Sequence, residues 1–386
     1  MMLFTMIANS IFRETNLIDV AVLELRKLLP EEWTVEPTSG VAQSTAQRRQ
    51  LDGAIDVGAP NGTSTTLAVE VRQSFAPRDV DRLVGGLSRV FRLVAPDVPV
   101  LVVAPWLSLR TRQILEAERI NFIDLTGNAL LRLDDPAVYI SSSGATRNPE
   151  PTPRGRARVR GPKAARLIRI LADVRPPYGV REIASAARLT PGYVSRLLET
   201  LDREALIERA HRGGVGAVDV PALLRWWAGS YDVFRSNRAM TFLAPDGAPR
   251  AAAQLATSEQ RTQLAVTGSF AAGRIAPIAA PALLLVYCDD TAALSETLGL
   301  LPADVGGNVA LLRPFDPVVW ERVSEDGGLR YAAPSQVVVD CLTGTGRMPA
   351  EGEALLAWMA GNESSWRYAS LTKLEATQPV ARRNAA

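Results

Sequence analysis

The sequence predicts a multidomain chain of mixed α/β and α+β class, with a strand-and-helix domain at each end and a small helical module plus hairpin between them. Three observations carry this. The chain has 386 residues, room for two or three domains at about 100 to 200 residues each. Hydrophobic residues make up 47% and charged residues 22%, the balance of a globular protein and not of a disordered, collagenous or disulfide-built one. Apolar runs of strand length alternate with stretches of helical period in both end segments, whereas the middle reads as helices followed by a hairpin.

Residues 16–29 have the spacing of an amphipathic helix, with Leu17, Val20, Leu23 and Leu28 recurring at helical intervals and Pro30 ending it. The apolar runs 51–57 and 66–72, separated by a turn-rich stretch, predict a hairpin. A helix over 80–93, a buried strand over 98–104, a helix over 107–119 and strands within 122–141 follow, the last set interrupted by the turn Thr126-Gly127-Asn128. Together they make an α/β domain over residues 1–145. Residues 146–161 are rich in Pro, Gly and Arg, with Arg154, Arg156, Arg158 and Arg160 alternating, and read as a basic linker.

The middle module spans residues 162–240. A helix over 165–174 places Leu167, Ile170 and Leu171 on one side, and Pro176 with Pro177 stops it. A short helix over 180–187 follows. Thr190 is placed to cap a third helix, with Pro191 at its first position, where the missing N–H costs nothing. Val194, Leu197, Leu198 and Leu201 form the buried stripe of that helix and leave Gly192, Tyr193, Ser195, Arg196 and Glu199 outside it. A hairpin over 206–220 has the basic, glycine-rich tip 211–216. The next helix, 222–231, carries Leu223, Leu224, Trp226 and Trp227 and is the first place to look for a homodimer contact.

Charge singles out the same segment. The net formal charge of +2 divides into −3 over residues 1–145, +7 over 146–220 and −2 over 221–386. A basic segment between two weakly acidic ones points to a polyanion, because phosphate neutralisation supplies most non-specific nucleic-acid affinity. Double-stranded DNA is the expected partner. The candidate contacts are Tyr193, Ser195 and Arg196 on the third helix, Arg181 on the second, Arg212 in the wing, and Arg158 and Arg160 in the linker. The segment REIASAARLTPGYVSRLLETLDREALIERAHRGG resembles the winged helix-turn-helix of IclR- and MarR-like regulators. The resemblance implies that the third helix enters the major groove while Arg212 meets phosphate or the minor groove.

In the first domain, Asp52, Asp56 and the triplet Glu70-Val71-Arg72 resemble the D…(D/E)xK pattern of restriction-endonuclease-like folds. In such folds the carboxylates hold Mg²⁺ and the lysine positions and stabilises the attacking water. Arginine stands here at the lysine position, an always-protonated fork in place of a compact ammonium. The resemblance therefore implies a restriction-endonuclease-like fold without cleavage. The alternative is a metal-dependent endonuclease targeted by the winged helix, with Asp52, Asp56, Glu70 and Arg72 as its catalytic set.

Residues 241–386 read as a C-terminal α/β domain. Gly268-Ser269 and Asp289-Asp290 have a superficial likeness to minimal nucleotidyltransferases, but adjacent aspartates on a strand point to opposite faces, so a solvated strand end is the better reading. Gln336 and Asp340 fall on a helix, followed by a glycine-rich turn over 344–347 and another helix from Pro349. The segments GSFAAGRIAPIAAPALLLVY and APSQVVVDCLTGTGR resemble the C-terminal part of AbiEi-type regulators, the antitoxins of type IV toxin-antitoxin systems. That resemblance implies a transcriptional repressor without catalysis, whose cognate partner is a nucleotidyltransferase-like toxin. The chain departs from the pattern by its extra amino-terminal domain.

Other chemistries lack the residues they need. His211 is the single histidine, which removes paired-His metal sites. Cys288 and Cys341 lack C-x-x-C spacing and read as small core residues, so neither a metal nor another cofactor is expected. The longest apolar run, 275–288, contains Pro277 and Pro281 and falls short of the roughly 18 to 20 residues a span requires. The amino terminus lacks a signal-peptide pattern, and a cytoplasmic protein with no membrane association is expected.

Overall fold

The computed structural model describes residues 17–38, 52–94, 98–146, 148–149, 161–210, 213–258 and 263–372. The chain divides into two compact units, residues 1–155 with 203–205, and residues 156–202 with 206–386.

The first unit runs α1 (Leu17–Leu28), β1 (Thr34–Pro37), β2 (Gly53–Gly58), β3 (Ser64–Val71), α2 (Pro77–Val94), β4 (Val100–Ala104), α3 (Leu109–Ala117), β5 (Asn121–Asp124), β6 (Ala129–Leu133) and β7 (Val138–Ser142). Its seven strands lie in sequence order in one sheet. β1, β2 and β3 form an antiparallel meander, β4 and β5 run parallel to β3 after the two helical connections, and β6 and β7 return antiparallel. The period of two along each strand sorts the core. Ile55, Val57, Leu67, Val69, Leu101, Val103 and Leu131 pack against α1, while Ala68, Val100, Val102, Phe122 and Leu130 pack with Val80, Leu107 and Leu115 on the other face. The buried residues of α1 are Ile18, Val20, Ala21, Val22 and Leu25, so Val20 lies inside as expected, whereas Leu23, also expected inside, is 48% exposed. The set Ile18, Ala21, Val22, Leu25 keeps the i, i+3, i+4, i+7 spacing that one helix face requires, and Leu23 falls outside it.

The second unit opens with α4 (Pro162–Asp173), α5 (Val180–Ala186), α6 (Pro191–Arg203), β8 (Ile207–Arg209), β9 (Val215–Val218) and α7 (Val220–Ala228). β8 and β9 pair antiparallel, and Tyr178 adds a bridge to Val215, so the connection between α4 and α5 lies along the hairpin as a third short strand. The chain continues through α8 (Val233–Ser236), β10 (Arg238–Leu243), α9 (Ala248–Thr257), β11 (Leu264–Thr267), α10 (Gly268–Ile275), β12 (Leu284–Cys288), α11 (Thr291–Thr297), β13 (Leu301–Pro302), β14 (Val309–Arg313), a 3₁₀ turn (Pro317–Trp320), β15 (Ser324–Asp326), β16 (Leu329–Tyr331), α12 (Pro334–Leu342), α13 (Met348–Gly361) and α14 (Glu363–Trp366). Its strands form a mixed sheet in the order β13-β10-β14-β12-β11-β16-β15.

One face of this sheet, with Val266, Leu284, Val286 and Leu311, is covered by Ala251 and Leu255 of α9 and Leu294 of α11. The other, with Ala265, Leu285, Tyr287, Ala310 and Leu312, belongs to a single core that also holds Leu167, Ile170 and Leu171 of α4 and Leu197, Leu198 and Leu201 of α6. The boundary expected at residue 240 falls inside β10, and the helical module and the following sheet share their apolar interior. Leu223, Leu224 and Trp227 of α7 are spent in that interior and Trp226 packs against it, so the helix expected to offer a dimer contact has its apolar face buried within the chain. Cys288 and Cys341 are buried free thiols. Among the described residues, no helix is long and apolar enough to cross a membrane.

The far end of the chain returns to α4. Arg367 donates from Nε to the Ala172 carbonyl at 2.8 Å and from Nη2 to those of Leu171 and Val174 at 3.0 and 2.9 Å. Tyr368 bridges alongside Val174. The last carbonyls of a helix have no partner within it, and here a guanidinium supplies three donors and a favourable charge at that end.

Candidate nucleic-acid interface

The turn between α5 and α6 is tight. Arg188 adopts a left-handed conformation with φ 53°, and the Leu189 N–H reaches back to the Ala184 carbonyl at 2.8 Å. Pro191 then starts α6, and the Thr190 carbonyl accepts from the N–H groups of Tyr193 and Val194 at 3.0 and 3.1 Å. Val194, Leu197, Leu198 and Leu201 are buried, as their spacing predicts, and they fix the rotation of the helix. Gly192, Ser195, Arg196 and Glu199 are exposed and Tyr193 is half-buried. Burial raises the Tyr193 hydroxyl above its usual range, with Arg196 opposing, and the side chain packs against the shared core.

Arg181, Arg188 and Arg196 are exposed and, among the described residues, make no ion pair. Other cations of the same segment are already used. Arg166 grips Asp316 with Nε at 3.0 Å and Nη2 at 2.8 Å, and Arg169 is wholly buried, so part of the +7 charge faces inward. Arg158, Arg160, His211 and Arg212 lie outside the described residues. The base of the wing is shaped by glycine: a Cβ at Gly214 would stand 2.8 Å from the Tyr178 carbonyl oxygen, too close for any other residue without a shift.

Helix, bridge strand, two helices with a tight turn, and a two-stranded hairpin in this order, with an exposed polar face on the third helix, make up a winged helix-turn-helix. Residues 163–211 match the family model of the IclR helix-turn-helix domain. The IclR-type domain supports a DNA-binding regulator of transcription, with double-stranded DNA as its partner. No curated protein and no solved structure matches the chain.

The carboxylates singled out in the first unit are arranged otherwise than a metal centre needs. Asp52 precedes β2 and accepts from the Val71 N–H at 2.7 Å. The Arg72 guanidinium bridges it at 3.2 Å to Glu70 at 2.5 Å. Asp56 stands four residues further along, about 13 Å at the strand rise, and accepts from the Thr66 hydroxyl at 2.5 Å. The structure thus brings Asp52, Glu70 and Arg72 together and leaves Asp56 apart, and a fixed positive charge already joins the two neighbouring carboxylates. These residues do not fit a Mg²⁺ ion. Among the described residues, no group of three or more His, Cys, Asp or Glu side chains is placed to hold a metal.

Burial pushes the Glu70 carboxyl up to about 7, Arg72 pulling it down and Asp52 pushing it up. A carboxyl whose folded value is raised contributes stability that is complete below its unfolded value and is lost as pH rises through the folded one. The first unit is therefore expected to lose stability between about pH 4.5 and 7 on account of this group. Glu70→Gln will flatten that part of a melting-temperature profile, and Arg72→Met will move the Glu70 titration upward in carboxyl ¹³C NMR. A Glu70 titration near 4 would contradict the assignment.

In the C-terminal sheet, Asp290 accepts from the N–H groups of Ala292 and Ala293 and caps α11, while the Ser269 hydroxyl is buried against Glu351 at 2.5 Å. Both side chains have structural partners.

A buried polar network escaped the sequence reading. Asp173 of α4 is held by Arg169 at 3.1 Å, by Arg322 at 2.5 Å and by the Ser335 hydroxyl. Burial opposes its ionisation, yet Arg169 and Arg322 hold its carboxyl below the usual range. Arg169 also donates to the Gln336 side-chain oxygen at 3.2 Å, and the amide nitrogen of Gln336 donates to Asp340 at 2.9 Å. Asp340 further accepts from Thr267, Tyr231 and Tyr287, and burial pushes its carboxyl up to about 6 against these bonds. The available signal was local: Arg169 interrupts an apolar helix face and stands four residues before Asp173, the spacing of a helical ion pair.

Proposed function

We propose that this protein is a sequence-specific regulator of transcription that reads duplex DNA with α6. The observation that carries the reading is the division of that helix, four buried aliphatic residues on one side and Ser195 and Arg196 exposed on the other, with Arg181 of α5 exposed as well. An arginine fork donates to both acceptors on the major-groove edge of guanine, and a serine bonds a base or a phosphate. Arg212 in the wing, and Arg158 and Arg160 in the preceding basic segment, supply phosphate contacts in this reading. Action as a homodimer on paired half-sites belongs to it, because one winged helix covers limited DNA surface. An AbiEi-like antitoxin role, with a nucleotidyltransferase-like toxin as cognate partner, rests on the likeness of the two C-terminal segments. The first unit is read as a restriction-endonuclease-like domain that does not cleave, on the strength of its meander followed by parallel strands and of Arg72 between the carboxylates.

The test selects a preferred duplex from a random pool and measures affinity by fluorescence anisotropy. Arg196→Ala is expected to cost about 1 to 3 kcal/mol on the selected site and to relax preference at one base pair, while Arg212→Ala weakens all sequences alike. Selection that yields no preferred sequence, or a selected site bound equally by wild type and Arg196→Ala, would sink the reading.

A further inference from the structure

Among the described residues of the second unit, two that are not glycine have a left-handed backbone, Arg188 with φ 53° and Arg322 with φ 63°. That conformation crowds Cβ against the backbone, and a position that needs it is ordinarily filled by glycine. A backbone outlier that the fold maintains points to a task for the side chain it carries. For Arg322 the task is visible, since its guanidinium is committed to Asp173 and Glu321. Arg188 has the same backbone and no such anion. It is exposed and, among the described residues, pairs with no carboxylate. Its main chain is nonetheless held firmly: the Arg188 N–H donates to the Ser185 carbonyl at 3.1 Å, the Leu189 N–H to that of Ala184 at 2.8 Å, and Ile183, Ala184 and Ala187 are buried. The guanidinium therefore hangs from a fixed point in the turn that leads into α6 at Pro191. The end of α5 favours a cation, but a basic residue anywhere in its last turn would supply that without a left-handed backbone.

We propose that Arg188 grips a backbone phosphate of the duplex beside the groove that α6 enters. This rests on the reading of α6 and adds to it the contact that sets the register of the helix on the DNA, as phosphate contacts do without reading a base. A guanidinium fork suits two phosphate oxygens. Because the turn is already rigid, little main-chain freedom is lost when the contact forms. The anion that Arg322 finds within the protein, Arg188 finds on the DNA.

Anisotropy titrations of the full-length protein against the selected duplex and an unrelated duplex of equal length, each over a series of KCl concentrations, test it. Arg188→Gln and Arg188→Gly both remove the charge, the first keeping a side chain on the left-handed backbone and the second relieving the crowding. Each is expected to weaken both duplexes alike, by about five- to tenfold per bound chain at about 0.1 M salt, and to reduce the slope of log affinity against log salt by about 0.9. Arg188→Lys should keep the slope, because an ammonium also neutralises a phosphate. The melting temperature of Arg188→Gly should equal or exceed that of the wild type, since glycine takes the left-handed conformation freely. A purely structural role for Arg188 would move the melting temperature and leave the slope alone. An unchanged slope in the Gln and Gly variants overturns the proposal, as does a loss confined to the selected duplex or a slope that lysine does not keep. If Arg196→Ala relaxes base preference while the slope of Arg188→Gln stays at the wild-type value, this proposal alone falls. A protein with no preferred duplex would overturn the reading of α6 and this proposal together.

Discussion

Asp173→Ala is expected to lower the stability of the second unit by about 3 to 5 kcal/mol, because it leaves the buried Arg169 charge without its counter-ion and Arg322 with Glu321 alone. Arg169 is wholly buried and the Arg322 side chain is only 2% exposed, and both point at the same carboxylate. Bringing water to them means opening α4 away from the 3₁₀ turn and α12. The remaining bonds of Arg169, to the carbonyls of Val318 and Glu321 at 3.3 and 3.1 Å and to the Gln336 side-chain oxygen at 3.2 Å, satisfy donors but supply no negative charge. Urea unfolding of the variant measures the loss. A concerted exchange of Arg169, Asp173 and Arg322 for apolar residues of similar volume should recover most of it, since a buried ion cluster contributes little net stability over a well-packed apolar one. A loss below about 1 kcal/mol for the single variant would mean that water already reaches the guanidinium groups, in the manner of a surface pair.

The matching position in the first unit is Asp124. Its carboxylate, 1% exposed, accepts from the backbone N–H groups of Leu107, Thr126 and Asn128 at 3.0, 2.9 and 3.1 Å, from the Thr126 hydroxyl at 2.7 Å and from the Asn128 amide at 2.8 Å. Asn128, itself buried, passes the constraint on by accepting from the Gly144 N–H at 2.8 Å and from Arg112 at 2.6 Å. Gly144 has no room for a side chain, since a Cβ would run into the Thr126 carbonyl. Asp124→Ala strands several buried donors at once and is expected to cost about 3 to 5 kcal/mol, each unsatisfied group being worth about 1 to 3 before relaxation. Asp124→Asn should recover only part, because its amide nitrogen turns a donor toward donors. Hydrogen exchange at Leu107, Thr126 and Asn128 reports the local opening directly. Protection at these amides equal to that of the wild type would show that water replaces the carboxylate at no cost.

What could be read in the sequence was local. The stripe of α6, the hairpin of β2 with β3, and the turn between β5 and β6 each depend on residues a few positions apart, and periodicity with turn chemistry places them. The exposed face of α6 followed from the buried one by subtraction, so Ser195 and Arg196 were legible as candidates while nothing but periodicity was known. The strand order of the second sheet was not legible, because β10 pairs with β14 and β11 with β16 across long intervals that no local pattern records. For the same reason α7 resembled a surface for another subunit: Leu224 and Trp227 have their neighbours in segments far along the chain. Arg169 counts in the net charge of the basic middle segment, and only the position of Asp173, Arg322 and Gln336 shows that it is spent inside. The D…ExR triplet was legible as residues but not as an arrangement, since the bridging of Asp52 and Glu70 by Arg72 depends on where one flexible side chain comes to rest.

The clasp of Arg367 and Tyr368 on the end of α4 makes the first helix of the DNA-binding module depend on residues synthesised much later. The helix-turn-helix leaves the ribosome long before the residues that close its first helix, and at about 5 to 20 residues per second the interval is on the order of ten seconds. Until Arg367 arrives, the carbonyls of Leu171, Ala172 and Val174 lack the donors that hold them in the finished protein. Arg322 and Gln336, which neutralise and satisfy the interior of that helix, also emerge late. A nascent chain that has not yet reached Arg367 therefore presents the recognition sequence on an unfinished scaffold.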